Sequence, residues 1–236
     1  MKSMKKSKML LLCAVTALSA LDADAQSYWR NTNPDPFGIH IGYLSKQWET
    51  DFGDHKYKEN LWGEEDRRLH GLQIGLSWTP ISQYGLGLYT GLFTELCFSS
   101  GESMGYDNFS EGSLYVPAHI AVNLPMGRES ALMVHGGVGF NYAFAGEFFD
   151  DDYWYDDYGD RHYYEGERLH YGRDGWPRRF NTSLELGATL RIDRFVLNAN
   201  YSWGMTDHRL YTDMPHHATH QNKISITAGW AFGGDW

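Results

Sequence analysis

The sequence is poor in cysteine, in long apolar runs and in positive charge. Its 236 residues include two cysteines, Cys13 and Cys97, so no network of disulfides can hold the fold together. The longest apolar run, residues 9–18, is far shorter than the roughly 20 residues of a transmembrane helix, so any passage through a membrane must use β-strands. Twenty basic residues against 30 acidic ones give a net charge of −10, which argues against nucleic acid as a partner.

Residues 1–25 have the pattern of a secretory signal peptide. Four lysines precede the apolar run, and Ala23 and Ala25 supply the small residues that a signal peptidase reads. We expect cleavage near Ala25/Gln26. Because Cys13 lies inside the apolar run without the usual small residue before it, we expect no lipid anchor. The mature chain then keeps Cys97 alone, with 16 basic and 28 acidic residues, and must gain its stability from hydrogen bonding and packing.

The rest of the chain repeats one pattern eight times. Stretches of roughly ten residues alternate large apolar residues with glycine or polar ones, and the connections between them are long and short in turn. This rhythm predicts an all-β fold, an eight-stranded antiparallel up-and-down transmembrane β-barrel over residues 37–236, preceded by a periplasmic segment over residues 26–36. We expect four long extracellular loops, near residues 49–68, 99–112, 146–179 and 206–222.

The two faces of these stretches indicate a membrane rather than water outside the barrel. The charged residues Glu95, Glu185 and Arg191 share the face that carries small residues, whereas a soluble barrel of the lipocalin type would turn its apolar face inward. With the N-terminus in the periplasm, the short turns all fall on the periplasmic side. Two belts of outward aromatic residues are then expected. The lower belt is Phe37, Trp78, Phe195, Trp230 and Phe232, and the upper belt is Phe98, Phe144, Phe180 and Trp203.

Three short segments resemble motifs of the small outer-membrane β-barrel proteins of Bacteroidetes, which share the OmpX and OmpA-membrane-domain architecture. Residues 114–117, Leu-Tyr-Val-Pro, are similar to that family's Leu-Glu-Ile-Pro strand, with Tyr115 in place of the acid. Residues 201–207 are similar to its Tyr-x-x-Gly-Leu-x-Asn/Asp segment, and the aromatic close at Phe232 resembles a barrel-assembly signal. The resemblance implies the outer membrane of a Gram-negative bacterium and is nearly uninformative about activity.

The inward polar residues are the first candidates for a functional site. An eight-stranded barrel has an interior that side chains can fill, so we expect these residues to form a hydrogen-bonded and ion-paired plug. A conducting or proton-relay role is the alternative. Tyr89, Phe93 and Tyr115 add bulk to the same interior and argue against a solute pore. The predicted plug residues are His40, Glu95, His119, His135, Glu185 and Arg191, accompanied by Asn141, Asn198 and Asn200.

The connection over residues 146–179 has the most unusual composition, because carboxylates and aromatic residues alternate within it. Dense carboxylates suit hard cations such as Ca²⁺, and exposed aromatic residues suit contacts with sugars or proteins. The spacing is not that of an EF-hand loop. A solvated loop, a protein or glycan contact and a Ca²⁺ site all stay open. The candidate contact residues are Asp150, Asp151, Asp152, Trp154, Asp156 and Asp157.

A weaker metal candidate is the cluster His216, His217 and His220, although histidines on a loop rarely form a dedicated site. Enzymes of this architecture that modify lipid A use a serine with a histidine and an acid near the outer rim. Ser202 lies near that rim, but its parity points inward and the His-x-Ser pattern of the deacylases is absent. The G-x-S-x-G and H-E-x-x-H motifs are absent too.

The sequence thus favours a non-enzymatic outer-membrane barrel without a cofactor, with a structural, adhesive or partner-binding role carried by its extracellular loops. An accessory subunit of a secretion or nutrient-uptake complex is the first alternative, and a lipid-modifying enzyme or a narrow diffusion channel is less favoured. The expected partners are outer-membrane lipid and lipopolysaccharide, the barrel-assembly machinery during biogenesis, and a protein or glycan at the loops.

Overall fold

The computed structural model describes residues 36–51, 56–57, 69–82, 84–103, 106–126, 130–149, 153–155, 158, 161–163, 167–168, 171, 178–208 and 218–232. Eight long strands account for most of them. They are β1 (Phe37–Asp51), β2 (Leu69–Trp78), β3 (Leu86–Ser103), β4 (Tyr106–Pro125), β5 (Ser130–Phe149), β6 (Phe180–Ile192), β7 (Phe195–Gly204) and β8 (Ala218–Phe232). Within these ranges no helix is long and apolar enough to cross a membrane.

The eight strands close into an antiparallel barrel, as the alternation predicts. Each strand pairs with its neighbours in sequence, and β1 also pairs with β8, so Phe37 lies opposite both Trp78 and Phe232. This closure gives every strand two partners and leaves no sheet edge at membrane depth. We call the end with the short connections the turn end and the opposite end the loop end.

The strands extend further towards the loop end than we predicted, because alternation of apolar residues stops before strand pairing does. The bounds of the loop predicted near residues 99–112 change most, since β3 continues to Ser103 and β4 begins at Tyr106. The bounds of two other loops also change, because β5 continues to Phe149 and β8 begins at Ala218. Short strands at Lys56–Tyr57 and Glu167–Arg168 add to the loop end of β1 and β5.

The outer face of the barrel is apolar over its middle section and carries both aromatic belts. Most of the large apolar residues that the alternation assigns outward are 36–69% exposed, as Leu92 at 56% and Ile120 at 69% illustrate. Phe37 stacks on Phe232 in the lower belt with ring centres 6.3 Å apart. An apolar band of this kind is stable only against lipid, so the barrel is a transmembrane one.

Two of the short turns require a left-handed backbone. Gly85, with φ of 79°, closes the turn between β2 and β3 through its N–H, which donates to the Ser82 carbonyl at 2.9 Å. Asp193 has φ of 53° in the two-residue connection between β6 and β7, a conformation that aspartate tolerates better than most residues. These tight turns fix the register in which the inward side chains meet.

Candidate functional site

The barrel interior holds the largest group of buried polar side chains in the described part of the chain. Five predicted plug residues lie there with at most 3% of their surface exposed: His40, Glu95, His119, His135 and Glu185. Arg191 lies instead at the turn end, half-buried, with its Nε donating to the Asp193 carbonyl at 2.7 Å. The inward residues form two clusters, one around each buried glutamate.

The cluster near the loop end surrounds Glu95. Lys46 Nζ lies 3.1 Å from one carboxylate oxygen of Glu95, and Lys223 Nζ lies 2.7 Å from the other. Lys46 also bridges to Glu111 at 2.9 Å. Two ammonium groups thus balance two carboxylates, which offsets the cost of burying them. Three neutral donors complete the shell of Glu95: Gln73 at 3.0 Å, Ser113 at 3.3 Å and Asn141 at 2.8 Å.

Lys46, Glu111 and Lys223 were missed in the sequence. Lys46 and Lys223 lie next to the loops predicted near residues 49–68 and 206–222, and Glu111 lies within the loop predicted near residues 99–112. The two lysines could have been found by continuing the alternation, because every second residue of a strand faces the same side. The alternation continues from His40 to Lys46 and from Thr227 back to Lys223, and all four residues are buried.

The second cluster surrounds Glu185, nearer the middle of the barrel. Its carboxylate accepts hydrogen bonds from the Tyr115 hydroxyl, from Ser183 at 2.6 Å and from Ser202 at 2.8 Å. Asn200 donates at 2.9 Å, and His119 Nε2 lies 3.0 Å away. No lysine is within bonding distance of Glu185 in the described contacts. Its negative charge is therefore held by neutral donors and one imidazole.

Side chains also occupy the interior below and above these clusters. At the turn end, His40 Nε2 bonds to Ser77 Oγ at 2.8 Å, and its ring contacts Phe93. A cavity of about 50 Å³ opens there, with room for a few water molecules, and Tyr89 and Thr189 line its inner side. The interior is thus open near the turn end and filled further in.

The loop end is crossed by residues that come from the long connections. The Tyr171 hydroxyl donates to the Ala145 carbonyl at 3.2 Å and lies 3.4 Å from the Glu111 carboxylate, while the Arg179 guanidinium lies over its ring. Burial, and then the Glu111 carboxylate, raises the pKa of Tyr171 well above its ordinary value. Tyr171 therefore stays a neutral donor at the top of the Glu95 cluster.

His208 occupies the loop end on the opposite side. It is 2% exposed, and its ring meets that of Trp48 edge to face at 4.6 Å. The Arg178 backbone N–H donates to its Nδ1 at 3.2 Å, which leaves the proton of a neutral imidazole on Nε2. Burial, and then the nearby His220, lowers the pKa of His208 to about 3. His208 is thus a neutral, buried part of the closure.

The other predicted contact residues fall largely outside the described residues. These are Asp150, Asp151, Asp152, Asp156, Asp157, His216 and His217. The backbone of Trp154 lies in a short strand, Tyr153–Tyr155, that pairs with Arg161–Tyr163. His220 lies on β8 opposite Glu49. Among the residues that the structure describes, no group of three or more metal-ligating side chains comes together.

Ser202 does not form the arrangement of a nucleophilic serine. Its Oγ donates to the Glu185 carboxylate at 2.8 Å, and it is 2% exposed inside the barrel. A nucleophile needs a histidine as its direct base and access to its substrate, whereas Ser202 contacts the acid and faces away from lipid.

Comparison with known proteins finds outer-membrane proteins at low similarity. No protein-family model and no characterised relative matches the sequence. The chain is similar to the crystal structure of Ail, the attachment invasion locus protein of Yersinia pestis, in complex with the heparin analogue sucrose octasulfate. The identity is 15%, the TM-score 0.38, and the match covers 83% of this chain and 97% of that chain.

Two further solved structures match over similar lengths. Neisserial surface protein A has 9% identity and a TM-score of 0.40, with 82% of this chain and 97% of that chain covered. OprG from Pseudomonas aeruginosa has 12% identity and a TM-score of 0.37, with 86% and 98% covered. At these values the fold assignment rests on the strand pairing of the chain itself.

Proposed function

We propose that this chain is a non-enzymatic outer-membrane β-barrel of a Gram-negative bacterium, with a structural, adhesive or partner-binding role at the cell surface. The observation that carries the proposal is a contrast between the two parts of the molecule. The interior is filled with side chains that are bonded to one another, whereas β3, β4 and β5 continue well beyond the apolar band at the loop end. Surface recognition is the role that this division favours.

The residues inside the barrel serve as a plug in this proposal. Glu95 and Glu185 each accept bonds from several strands, so they tie the wall together across its width. Bulky Phe93 and Tyr115 fill the space between them and are at most 4% exposed. A lumen of this kind supports a rigid barrel and opposes the passage of solutes.

The strands beyond the apolar band form a raised sheet. Above Phe98 and Phe144, the backbone of Ser99 still pairs with Phe109, and that of Asn108 pairs with Phe149. Glu147 in turn pairs with Arg168 of the long connection. This sheet holds both ends of the acidic and aromatic segment over residues 146–179, which we assign as the contact region for a protein or glycan.

The orientation follows from the export signal. A signal peptide over residues 1–25 delivers the chain to the periplasm, and barrels of this type keep their N-terminus and short turns there. The raised sheet then lies outside the cell. Lipid and lipopolysaccharide cover the apolar band, and the barrel-assembly machinery inserts it.

An adhesion assay tests the proposal. A non-adherent bacterial host would express the full chain, or a variant in which residues 150–160 are replaced by a glycine-serine segment of equal length. Both would be tested on a glycan array and on cultured epithelial cells. We expect binding by the full chain and its loss in the loop variant, while a Glu185→Gln variant, altered only in the interior, keeps it. Large, stable currents through the purified barrel in a planar bilayer would contradict the filled interior.

A further inference from the structure

A chain of four hydrogen-bonded side chains runs from the turn-end cavity to Glu185. Thr189 lines the cavity, and its Oγ1 lies 3.2 Å from His135 Nε2. His135 Nδ1 lies 2.9 Å from His119 Nδ1, and His119 Nε2 lies 3.0 Å from Glu185 Oε2. The four residues come from β4, β5 and β6, and each is at most 5% exposed.

The geometry of the two imidazoles suits transfer of a proton between them. Their ring planes differ by 17°, and their centres are 5.1 Å apart while the Nδ1 atoms are only 2.9 Å apart. Nearly parallel rings with these two distances meet edge to edge, so an N–H on one ring points at the lone pair of the other. The ring of Tyr89 packs against His135 with centres 4.3 Å apart and holds that ring in place.

The hydrogen-bond roles along the chain are fixed by its ends. An ionised Glu185 can only accept, so His119 Nε2 carries a proton and its Nδ1 accepts from His135 Nδ1–H. His135 Nε2 then accepts from the Thr189 hydroxyl. This arrangement satisfies every ring nitrogen with both histidines neutral.

A second arrangement satisfies the same atoms with every role reversed. A proton that arrives at His135 Nε2 releases the Nδ1 proton of His135 to His119 Nδ1, and His119 passes its Nε2 proton to Glu185. One proton enters at Thr189 and one carboxylic acid forms, while both histidines end neutral. Neither state needs a heavy atom to move, which is the requirement for a proton relay.

Two glycines make room for this chain. A methyl group at Gly187 would overlap the His135 ring, and one at Gly139 would overlap the Glu185 carboxylate. Both glycines lie at inward positions of the alternation.

The charge balance around Glu185 depends on few charged groups, because most side chains that face it are neutral. Lys223 is the nearest ammonium group, but its Nζ bonds to Glu95. Among the fully buried charged residues, Glu95, Glu111 and Glu185 stand against Lys46 and Lys223, so uptake of one proton by Glu185 makes the two signs equal in this group; Arg191 lies half-buried at the turn end. The groups that face Glu185 are Tyr115 and His119 from β4, His135 from β5, Ser183 from β6, Asn200 and Ser202 from β7, and Lys223 from β8, with Tyr89 of β3 next to the histidines.

We propose that Thr189, His135 and His119 form a proton relay that connects Glu185 with the turn-end cavity, so that the buried carboxylate gains and loses its proton from that end of the barrel. The relay stops at Glu185. The hydroxyls of Tyr115, Ser183 and Ser202 all donate to Glu185, and among the described contacts none of them donates to a further acceptor. The relay therefore stores a proton and does not conduct one across the membrane.

Rapid-mixing infrared spectroscopy of the full barrel in lipid vesicles tests the relay. After a drop in pH, the carbonyl band of one protonated carboxylic acid should remain when the Glu185→Gln spectrum is subtracted from the wild-type spectrum, because all other carboxylates are present in both proteins and cancel. In His135→Phe the rate at which this band appears should fall at least about tenfold. His40→Phe is the matched control, because His40 is also a buried histidine lining the cavity but lies outside the chain. It should keep the wild-type rate.

Thr189→Val tests the entry point of the proton. It replaces only the hydroxyl group by a methyl group, so the risk to folding is small, and the band should appear more slowly in this variant as well. In vesicles with uniformly oriented barrels, acid on the turn-end side should produce the band, and acid on the loop-end side should not. Equal rates in the wild type, His135→Phe and Thr189→Val would overturn the relay. So would the absence of the difference band at every pH at which the barrel stays folded. None of these measurements depends on binding by the loops.

Discussion

The ammonium group of Lys223 lies 3.3 Å from the centre of the Tyr115 ring, and the hydroxyl of the same tyrosine donates to Glu185. Tyr115 thereby joins the two buried clusters, since Lys223 also bonds to Glu95. The family that the sequence resembles has an acid at this position of the strand. An acid could pair with the lysine directly, whereas the tyrosine holds the lysine by its face and the carboxylate by its hydroxyl.

Two replacements of Tyr115 separate the contribution of its hydroxyl from that of its ring face. Tyr115→Phe keeps the ring under Lys223 and loses the bond to Glu185, so we expect a loss of about 1.5–3 kcal/mol in the free energy of unfolding. Tyr115→Leu also loses the cation–π contact and should cost roughly a further 0.5–2 kcal/mol. Urea unfolding in lipid vesicles measures both. Equal stability of the two variants would show that the ring face contributes nothing.

Lys46 is the second point at which the interior depends on one side chain. It bonds to Glu95, Glu111 and Ser113 from a fully buried position. Lys46→Met leaves the buried Glu111 without its cation and Glu95 with Lys223 alone, and it should reduce the free energy of unfolding by about 3–5 kcal/mol.

The double variant Lys46→Met/Glu111→Leu supplies the control for Lys46→Met, because it removes one of the stranded carboxylates together with the lysine. Equilibrium unfolding should find the double variant more stable than Lys46→Met alone. An additive loss from the two substitutions would mean that Lys46 and Glu111 do not interact.

The faces of the barrel were predictable because the side-chain period of a strand is two. Once Leu92 and Leu96 are assigned outward, Glu95 must point inward, and no other information is needed. The ends of the strands were not predictable in the same way. Beyond the apolar band both faces are polar, so the pattern that separates strand from loop vanishes although pairing continues, as Ser99 and Phe109 show.

The contacts between interior side chains were harder to predict from the sequence than the faces of the strands. Lys46 and Glu111 are 65 positions apart, and the alternation places each on the inner face without saying which residues lie at the same height. That height depends on strand tilt and register, which the turns and the bulge near Gly112 set. The sequence therefore allowed us to predict which residues face inward, but not which of them contact one another.

Arginine substitutions on the outer face test the lipid contact. Leu92 lies near the middle of the outward apolar residues of β3, which run from Leu86 to Phe98, and it is 56% exposed. In a bilayer, Leu92→Arg should destabilise the barrel by about 2–4 kcal/mol, and Phe98→Arg, at the rim, by roughly 0–1 kcal/mol. Unfolding titrations in vesicles give both values. Equal and small effects would place this face in water.

The closure at the loop end should weaken in acid through His208. Its pKa is about 3 in the folded barrel, against about 6.5 in an unfolded chain. Between pH 6.5 and pH 3, His208 binds a proton in the unfolded state but not in the folded state. The contribution of His208 to the free energy of unfolding is therefore complete above pH 6.5 and falls as the pH drops towards 3. Protease cleavage of the last loop, measured across this range, should rise with acidity. His208→Phe, which keeps a ring against Trp48, should show a flatter dependence, and an unchanged one would contradict the assignment.

Two glycines on β5 offer a matched test of how tightly the interior is packed. A methyl group at Gly139 would overlap the Glu185 carboxylate and come within 2.6 Å of Ser183 Oγ, whereas one at Gly136 would lie 3.2 Å from the Glu185 backbone oxygen on the outer face. Both changes to alanine restrict the unfolded chain equally, so that effect cancels between them. Gly139→Ala should therefore be less stable than Gly136→Ala by about 1–3 kcal/mol, the usual cost of overpacking, in parallel unfolding titrations. Equal stabilities would mean that Glu185 can leave its position freely, which its bonds to Ser183, Ser202 and Asn200 oppose.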